Sequence, residues 1–180
     1  GGAGIQADLK TFAAHGVFGL SAIAALTAQN TRGVTAVHVP PVAFLRAQLD
    51  ACFDDFAIGA VKIGMLANAD VISAAADALL HFRPAHLVLD PVMVATSGAK
   101  LLEDNALATL RERLLPMATV LTPNIPEAEL LLGHAIRLRG NGDHRRAVYE
   151  GHSPRRLIFV GDFVDRGPRS PDVLRIVMTL

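Results

Sequence analysis

Three places in this chain of 180 residues set polar side chains directly after a short apolar run. Asp90 follows Leu87-Val88-Leu89 and precedes Pro91. Asn124 and Glu127 follow Val120-Leu121-Thr122-Pro123. Gln29 and Asn30 follow Leu26-Thr27-Ala28. In an open parallel sheet, ligands bind beyond the carboxyl ends of the strands, so each place is a candidate site. Asp90 and Glu127 are the natural pair for Mg²⁺, which is usually held by one or two carboxylates, its own waters and substrate phosphates. Two carboxylates, a parallel sheet and a glycine-rich start fit phosphoryl transfer, where a protein mainly positions groups and neutralises charge. Asp90 equally suits a carboxylate that only caps the turn before Pro91. Lys62 is either a buried functional amine or a strand-end lysine reaching solvent, and its position favours solvent. The Walker A lysine motif is missing, which excludes a P-loop enzyme. His15, His38, His81 and His86 lack metal-ligand spacing and read as surface or packing residues.

Elements must hold these groups in place. Ile5, Leu9 and Phe12 fall at helical spacing, with Gly16 as a stop. The opening Gly1-Gly2-Ala3-Gly4 can bind anions through free N–H groups or form a plain turn. Val17 to Ala28 reads as a buried strand. Pro40-Pro41 opens a helix to about Phe56, with Val42, Leu45, Leu49 and Phe53 inward. Ala60 to Leu66 is a strand, and Asn68 caps a helix to about Phe82. His86 to Asp90 is a strand, Glu103 to Leu115 a helix ended by Pro116, and Thr119 to Thr122 a strand. A last helix follows Pro123-Asn124 and stops at Gly133. Strands alternating with helices of about 10–15 residues predict α/β architecture with a mostly parallel sheet covered by helices on both faces. His134 to Arg156 reads as loop, Leu157 to Val160 as a strand, and Pro171 to Leu180 as a short amphipathic helix.

Composition narrows the function. Apolar residues make up 51%, which suits a sheet covered on both faces. The longest near-apolar run, Gly16 to Ala28, is shorter than the roughly 20 residues that span a bilayer. With a single cysteine, Cys52, and no signal-peptide pattern, the expected setting is a reducing cytoplasm without a membrane partner. Trp is absent and Tyr149 is the sole tyrosine, against base-stacking nucleic-acid modules. Charge divides unevenly. Residues 1–133 hold 8 Lys and Arg against 12 Asp and Glu, and residues 134–180 hold 9 Arg against 5 Asp and Glu.

Five ordered segments carry a resemblance across residues 1–133: Gly1 to Phe12, Leu26-Thr27-Ala28-Gln29-Asn30-Thr31, Val61-Lys62-Ile63-Gly64-Met65-Leu66, Leu89-Asp90-Pro91-Val92-Met93-Val94 and Thr122-Pro123-Asn124-Ile125-Pro126-Glu127-Ala128-Glu129. They resemble the hydroxymethylpyrimidine/phosphomethylpyrimidine kinases of thiamine biosynthesis, in the ribokinase-like superfamily. The resemblance implies a three-layer α/β fold and transfer of the γ-phosphoryl of ATP, with Mg²⁺, to the hydroxymethylpyrimidine and then to its monophosphate. It implies that Ala3, Gln29, Met65 and Val92 line the aminopyrimidine pocket, with Gln29 bonding the ring edge and Asp8 supporting it. Asp90 falls near the phosphates, and Asn124 and Glu127 match an N-x-x-E motif for Mg²⁺ and phosphate. The family also has a strand before the first glycines and a later glycine-rich turn that forms the anion hole and carries the activating residue. Neither is found in these residues, so no catalytic residue is assigned and the chain alone is expected to be a poor kinase. Without the earlier strand, the sheet has an edge open to pairing with a second copy.

The tail differs. Phe159-Val160-Gly161-Asp162-Phe163-Val164-Asp165-Arg166-Gly167-Pro168 resembles the G-D-x-x-D-R-G block of calcineurin-like metallophosphoesterases. In that family Asp162 bridges two divalent metals such as Mn²⁺. The family's other ligand blocks are not found, so a working phosphatase is not expected. The charge division and the change of resemblance coincide near Gly133-His134. The expectation is a partial kinase domain over 1–133 joined to an arginine-rich segment, 134–180, of other origin. The alternatives are a phosphoesterase fragment or a non-catalytic chimera that keeps a pyrimidine-binding half-site.

Overall fold

The computed structural model describes residues 4–93, 102–103 and 105–135, with the backbone alone of 138–139 and 146–147. Its centre is a three-stranded parallel sheet of β3 (Ala60–Ile63), β4 (His86–Leu89) and β5 (Val120–Leu121). Val61 pairs with Leu87, Ile63 with Leu89, and Leu89 with Leu121. That register puts Val61, Ile63, Leu87, Leu89 and Leu121 on one face, because side chains alternate along a strand. These five pack into the main core with α2 (Val42–Asp55), α3 (Ala69–Phe82) and α4 (Ala106–Thr109). Ile72, Leu89 and Leu114 are fully buried there. Lys62 and Val88 lie on the opposite face, and Lys62 meets α1 (Ile5–Ala14) through Asp8.

The helices start and stop for local reasons. Asn68 accepts a hydrogen bond from the Val71 amide at 3.0 Å and caps α3, as read from the sequence. Leu45 is the buried anchor of α2, and Phe53 stacks on Phe82 with ring centroids 4.3 Å apart. The predicted helix over Glu103–Leu115 starts later, at Ala106. It passes through a π-helical stretch, Leu110–Leu114, and a 3₁₀ turn, Leu115–Met117, that contains Pro116. Pro116 has no N–H to give to an α-helical bond.

The expected strand over Val17–Ala28 is a correction. Only Leu26–Asn30 (β1) is a strand, and it pairs antiparallel with β2 (Gly33–His38) as a hairpin separate from the central sheet. Its turn is fixed by Asn30, whose Oδ1 accepts from the Arg32 amide at 2.8 Å, an Asx-turn. Residues before Leu26 are tied differently. The Gln48 side chain accepts from Ile23 N–H at 2.8 Å and donates to Ile23 C=O at 3.2 Å. Gly19 lies against α1, where an added Cβ would fall 2.7 Å from Leu9 Cδ2 and 2.8 Å from Phe12 Cδ2. The region from His134, read as loop, contains one short antiparallel pairing, β6 (Leu138–Arg139) with β7 (Arg146–Ala147). The expected strand over 157–160 and the expected helix over 171–180 fall outside the described residues.

Candidate functional site at the strand ends

Asp90 follows β4 directly. Its amide donates to Ile63 C=O at 2.8 Å, which extends the β3–β4 pairing by one rung and holds the residue at the sheet's end. Its carboxylate does not cap a turn before Pro91. It faces Lys62 Nζ, 3.3 Å from Oδ2, and it accepts a hydrogen bond from the Thr122 hydroxyl. Lys62 Nζ also donates to Asp8 Oδ1 at 2.8 Å. The solvent-reaching reading of Lys62 is therefore corrected. Side-chain exposures of 27% for Lys62, 28% for Asp8 and 30% for Asp90 describe a half-buried charged triad.

Asn124 and Glu127 open α5 (Ile125–Leu132) with a reciprocal cap. Asn124 Oδ1 accepts from the Glu127 amide, and Glu127 Oε2 accepts from the Asn124 amide, both at 2.9 Å. This satisfies two helix-end donors at once. The Met93 amide also donates to the Glu127 carboxylate, so Glu127 joins the α5 start to the segment after β4. Glu127 is 5% exposed, the buried charged residue among those described.

The electrostatics of these groups are coupled. Burial pushes the Asp90 carboxyl above its ordinary range. Lys62 opposes this by charge and hydrogen bond, Asp8 adds to it, and Thr122 opposes it. Burial also raises Glu127, against the hydrogen bonds from the Asn124 and Met93 amides, and the negative charge of Asp90 raises it further. Burial works against the charge on Lys62. The Asp8 hydrogen bond and the charges of Asp90 and Asp8 outweigh it, so the lysine is held above its usual value. Two carboxylates, each disfavoured as an anion, with the charge of Asp90 felt at Glu127, are what a cation would stabilise.

The donor set suits Mg²⁺. No cluster of three or more His, Cys, Asp or Glu side chains able to hold a metal is found among the described residues. A closed protein cage is thus not what they form. Asp90 and Glu127 instead match the sparse carboxylate supply of magnesium sites completed by phosphate and water.

The remaining predicted site residues are less gathered. The Val92 amide donates to the backbone C=O of Asp90 at 2.8 Å, which closes a tight turn around Pro91. Met65 lies just after β3 and is half-buried. Gln29 sits near the end of β1, exposed, with its Oε1 accepting from Thr27 Oγ1 at 3.4 Å. Ala3 and Asp162 lie outside the described residues. Sequence reading missed Lys62 and Thr122 as partners of Asp90, and the Met93 amide as a partner of Glu127. Only Lys62 left a signal, as a charged residue within an apolar strand.

A parallel sheet with one carboxylate at a strand end and another fixed in an N-x-x-E helix cap is the α/β arrangement that the ribokinase-like resemblance implies. The sequence pattern of the family "Phosphomethylpyrimidine kinase" matches residues 1–152, and the chain belongs to that family. The chain is 57% identical over 136 residues to the hydroxymethylpyrimidine/phosphomethylpyrimidine kinase of Haemophilus influenzae, covering 76% of this chain and 51% of that protein. Its structure resembles the crystal structure of phosphomethylpyrimidine kinase from Clostridium difficile 630, with a TM-score of 0.70 and 47% identity, over 75% of this chain and 58% of that one. It also resembles pyridoxal kinase from Staphylococcus aureus in complex with AMP-PCP and pyridoxal. There the TM-score is 0.63 and the identity 33%, over 73% of this chain and 46% of that one. The chain spans about half the length of the curated relatives it matches. The family pattern continues past Gly133, the point at which the charge balance changes. Among the described residues no helix is long and apolar enough to cross a membrane.

Proposed function

We propose that this chain takes part in ATP-dependent phosphorylation of 4-amino-5-hydroxymethyl-2-methylpyrimidine and of its monophosphate. The observation that carries the proposal is the placement of two carboxylates: Asp90 directly after β4, its amide bonded to Ile63 C=O, and Glu127 in the first turn of α5, bonded to the Met93 amide of the segment that follows Asp90. Family membership supplies the substrate class.

On this reading Asp90 and Glu127 hold Mg²⁺, directly or through water, and Asn124 fixes Glu127 by the cap. When bound, Mg²⁺ neutralises charge on the nucleotide phosphates. Asp8, Gln29, Met65, Val92 and Ala3 form the pyrimidine side, where Gln29 bonds the ring edge. Lys62 offsets the charge of Asp90 and Asp8. The protein's work is then to bring a hydroxymethyl oxygen and a phosphoryl group together. Residues 134–180 stand outside the proposed site, and the proposed domain boundary stays at Gly133.

A thermal-shift titration with hydroxymethylpyrimidine and with Mg-ATP tests the proposal. Stabilisation by the pyrimidine is expected, with a loss of Mg-ATP stabilisation in Asp90→Asn. A chain that the pyrimidine does not stabilise, at concentrations where a phosphomethylpyrimidine kinase responds, overturns it.

A further inference from the structure

Lys62 touches both halves of the proposed site. Its Nζ bonds Asp8 on α1, on the pyrimidine side, at 2.8 Å, and stands 3.3 Å from Asp90, on the phosphate side. One ammonium is thus divided between two carboxylates, and the charge of Asp90 is felt in turn at Glu127. The helix that carries Asp8 has no buried residue. Its position depends on few contacts, and Lys62 makes one of them. A cation taken up beside Asp90 competes with the ammonium for that carboxylate and leaves Nζ to Asp8. The bond to α1 then tightens. A ligand that fixes α1 from the other side draws on the same bond, and coupling between two binding events is reciprocal.

We propose that Lys62 is a positioning residue that couples pyrimidine binding to magnesium-nucleotide binding, by sharing one charge between Asp8 and Asp90. The inference rests on the proposed function, because it takes the two ligands from that reading.

Calorimetric titration of hydroxymethylpyrimidine, with and without magnesium and AMP-PCP, reads the coupling as a ratio of Kd values. The natural chain should bind the pyrimidine about five-fold tighter or more when the nucleotide is present, at the low end of measured couplings. Lys62→Met should bring the ratio close to one, and Lys62→Arg should keep most of it. Asp8→Asn cuts only the α1 half of the bridge and should also lower the ratio. It decides the matter if Lys62→Met does not fold. A lysine with a merely structural role would lower the melting temperature and weaken both ligands without changing the ratio. A ratio near one in the natural chain, or a ratio kept in the folded variants, overturns the inference. A natural chain that binds no pyrimidine overturns the proposed function instead, so the two failures are distinct.

Discussion

Glu127 is held by a bond that also starts a helix, so one substitution tests both roles. Asn124→Ala removes the acceptor of the Glu127 amide and should cost about 1 kcal/mol of stability, the usual value for a lost N-cap. Urea unfolding measures it. The same variant frees the Glu127 backbone and should weaken Mg-nucleotide binding beyond that loss, whereas Asn124→Asp should keep the cap. Asp90 and Glu127 also make stability depend on pH. Both have folded pKa values above the ordinary carboxylate range. In the window just above that range the folded state binds more protons than the unfolded one. Stability in the presence of a chelator should therefore fall as pH rises through the window. Urea unfolding in EDTA across mildly acidic pH should show this slope, and Asp90→Asn should flatten it. Asp90 and Glu127 could be read from the sequence because a carboxylate after an apolar run is a local pattern. Lys62 could not be placed that way. Its partner Asp8 is 54 residues distant in sequence, and strand periodicity does not tell what stands over a face.

At the scale of elements, α1 and the β1–β2 hairpin are the lightly held parts. Gly19→Ala would set a Cβ against the Leu9 and Phe12 side chains, so these two must give way and the packing of α1 on this segment loosens. Hydrogen exchange should quicken in α1 and stay unchanged in α3, whose inner face is buried. The hairpin forms no ladder with the central sheet, and its amides should exchange well before those of β4. Exchange of the two at one rate would contradict separate anchoring. The parallel strands and their helices were readable because apolar runs of β length alternated with helical stripes. The hairpin was not, because the apolar run from Val17 obscured where pairing begins. Phe18, within that run, is 79% exposed. Apolar composition alone did not say that Val17 and Phe18 lie on the surface while Ala22 and Ala24 pack against the core.

For the whole molecule, the described core lies on one side of the sheet, where α2, α3 and α4 meet β3, β4 and β5. Ile72 is fully buried at that meeting. Ile72→Ala should cost about 2–5 kcal/mol, the range for a large-to-small core change, and urea unfolding by circular dichroism would register it as a lower midpoint. A change under 1 kcal/mol would mean that the α3–sheet packing is not the main core. The charge asymmetry about Gly133 was plain in the sequence, yet the family pattern crosses it.

The amide of Gln48 closes both backbone bonds of Ile23. A single hook then sets the phase of everything between it and β1. An extra residue placed before Ile23 can bulge outward and leave Gln29 where it is. The same residue placed between Ile23 and Leu26 must slip the hairpin by one position and turn Gln29 to the other face. Insertion tolerance should therefore change abruptly at Ile23, although the chain on either side is equally apolar and equally free of strand pairing.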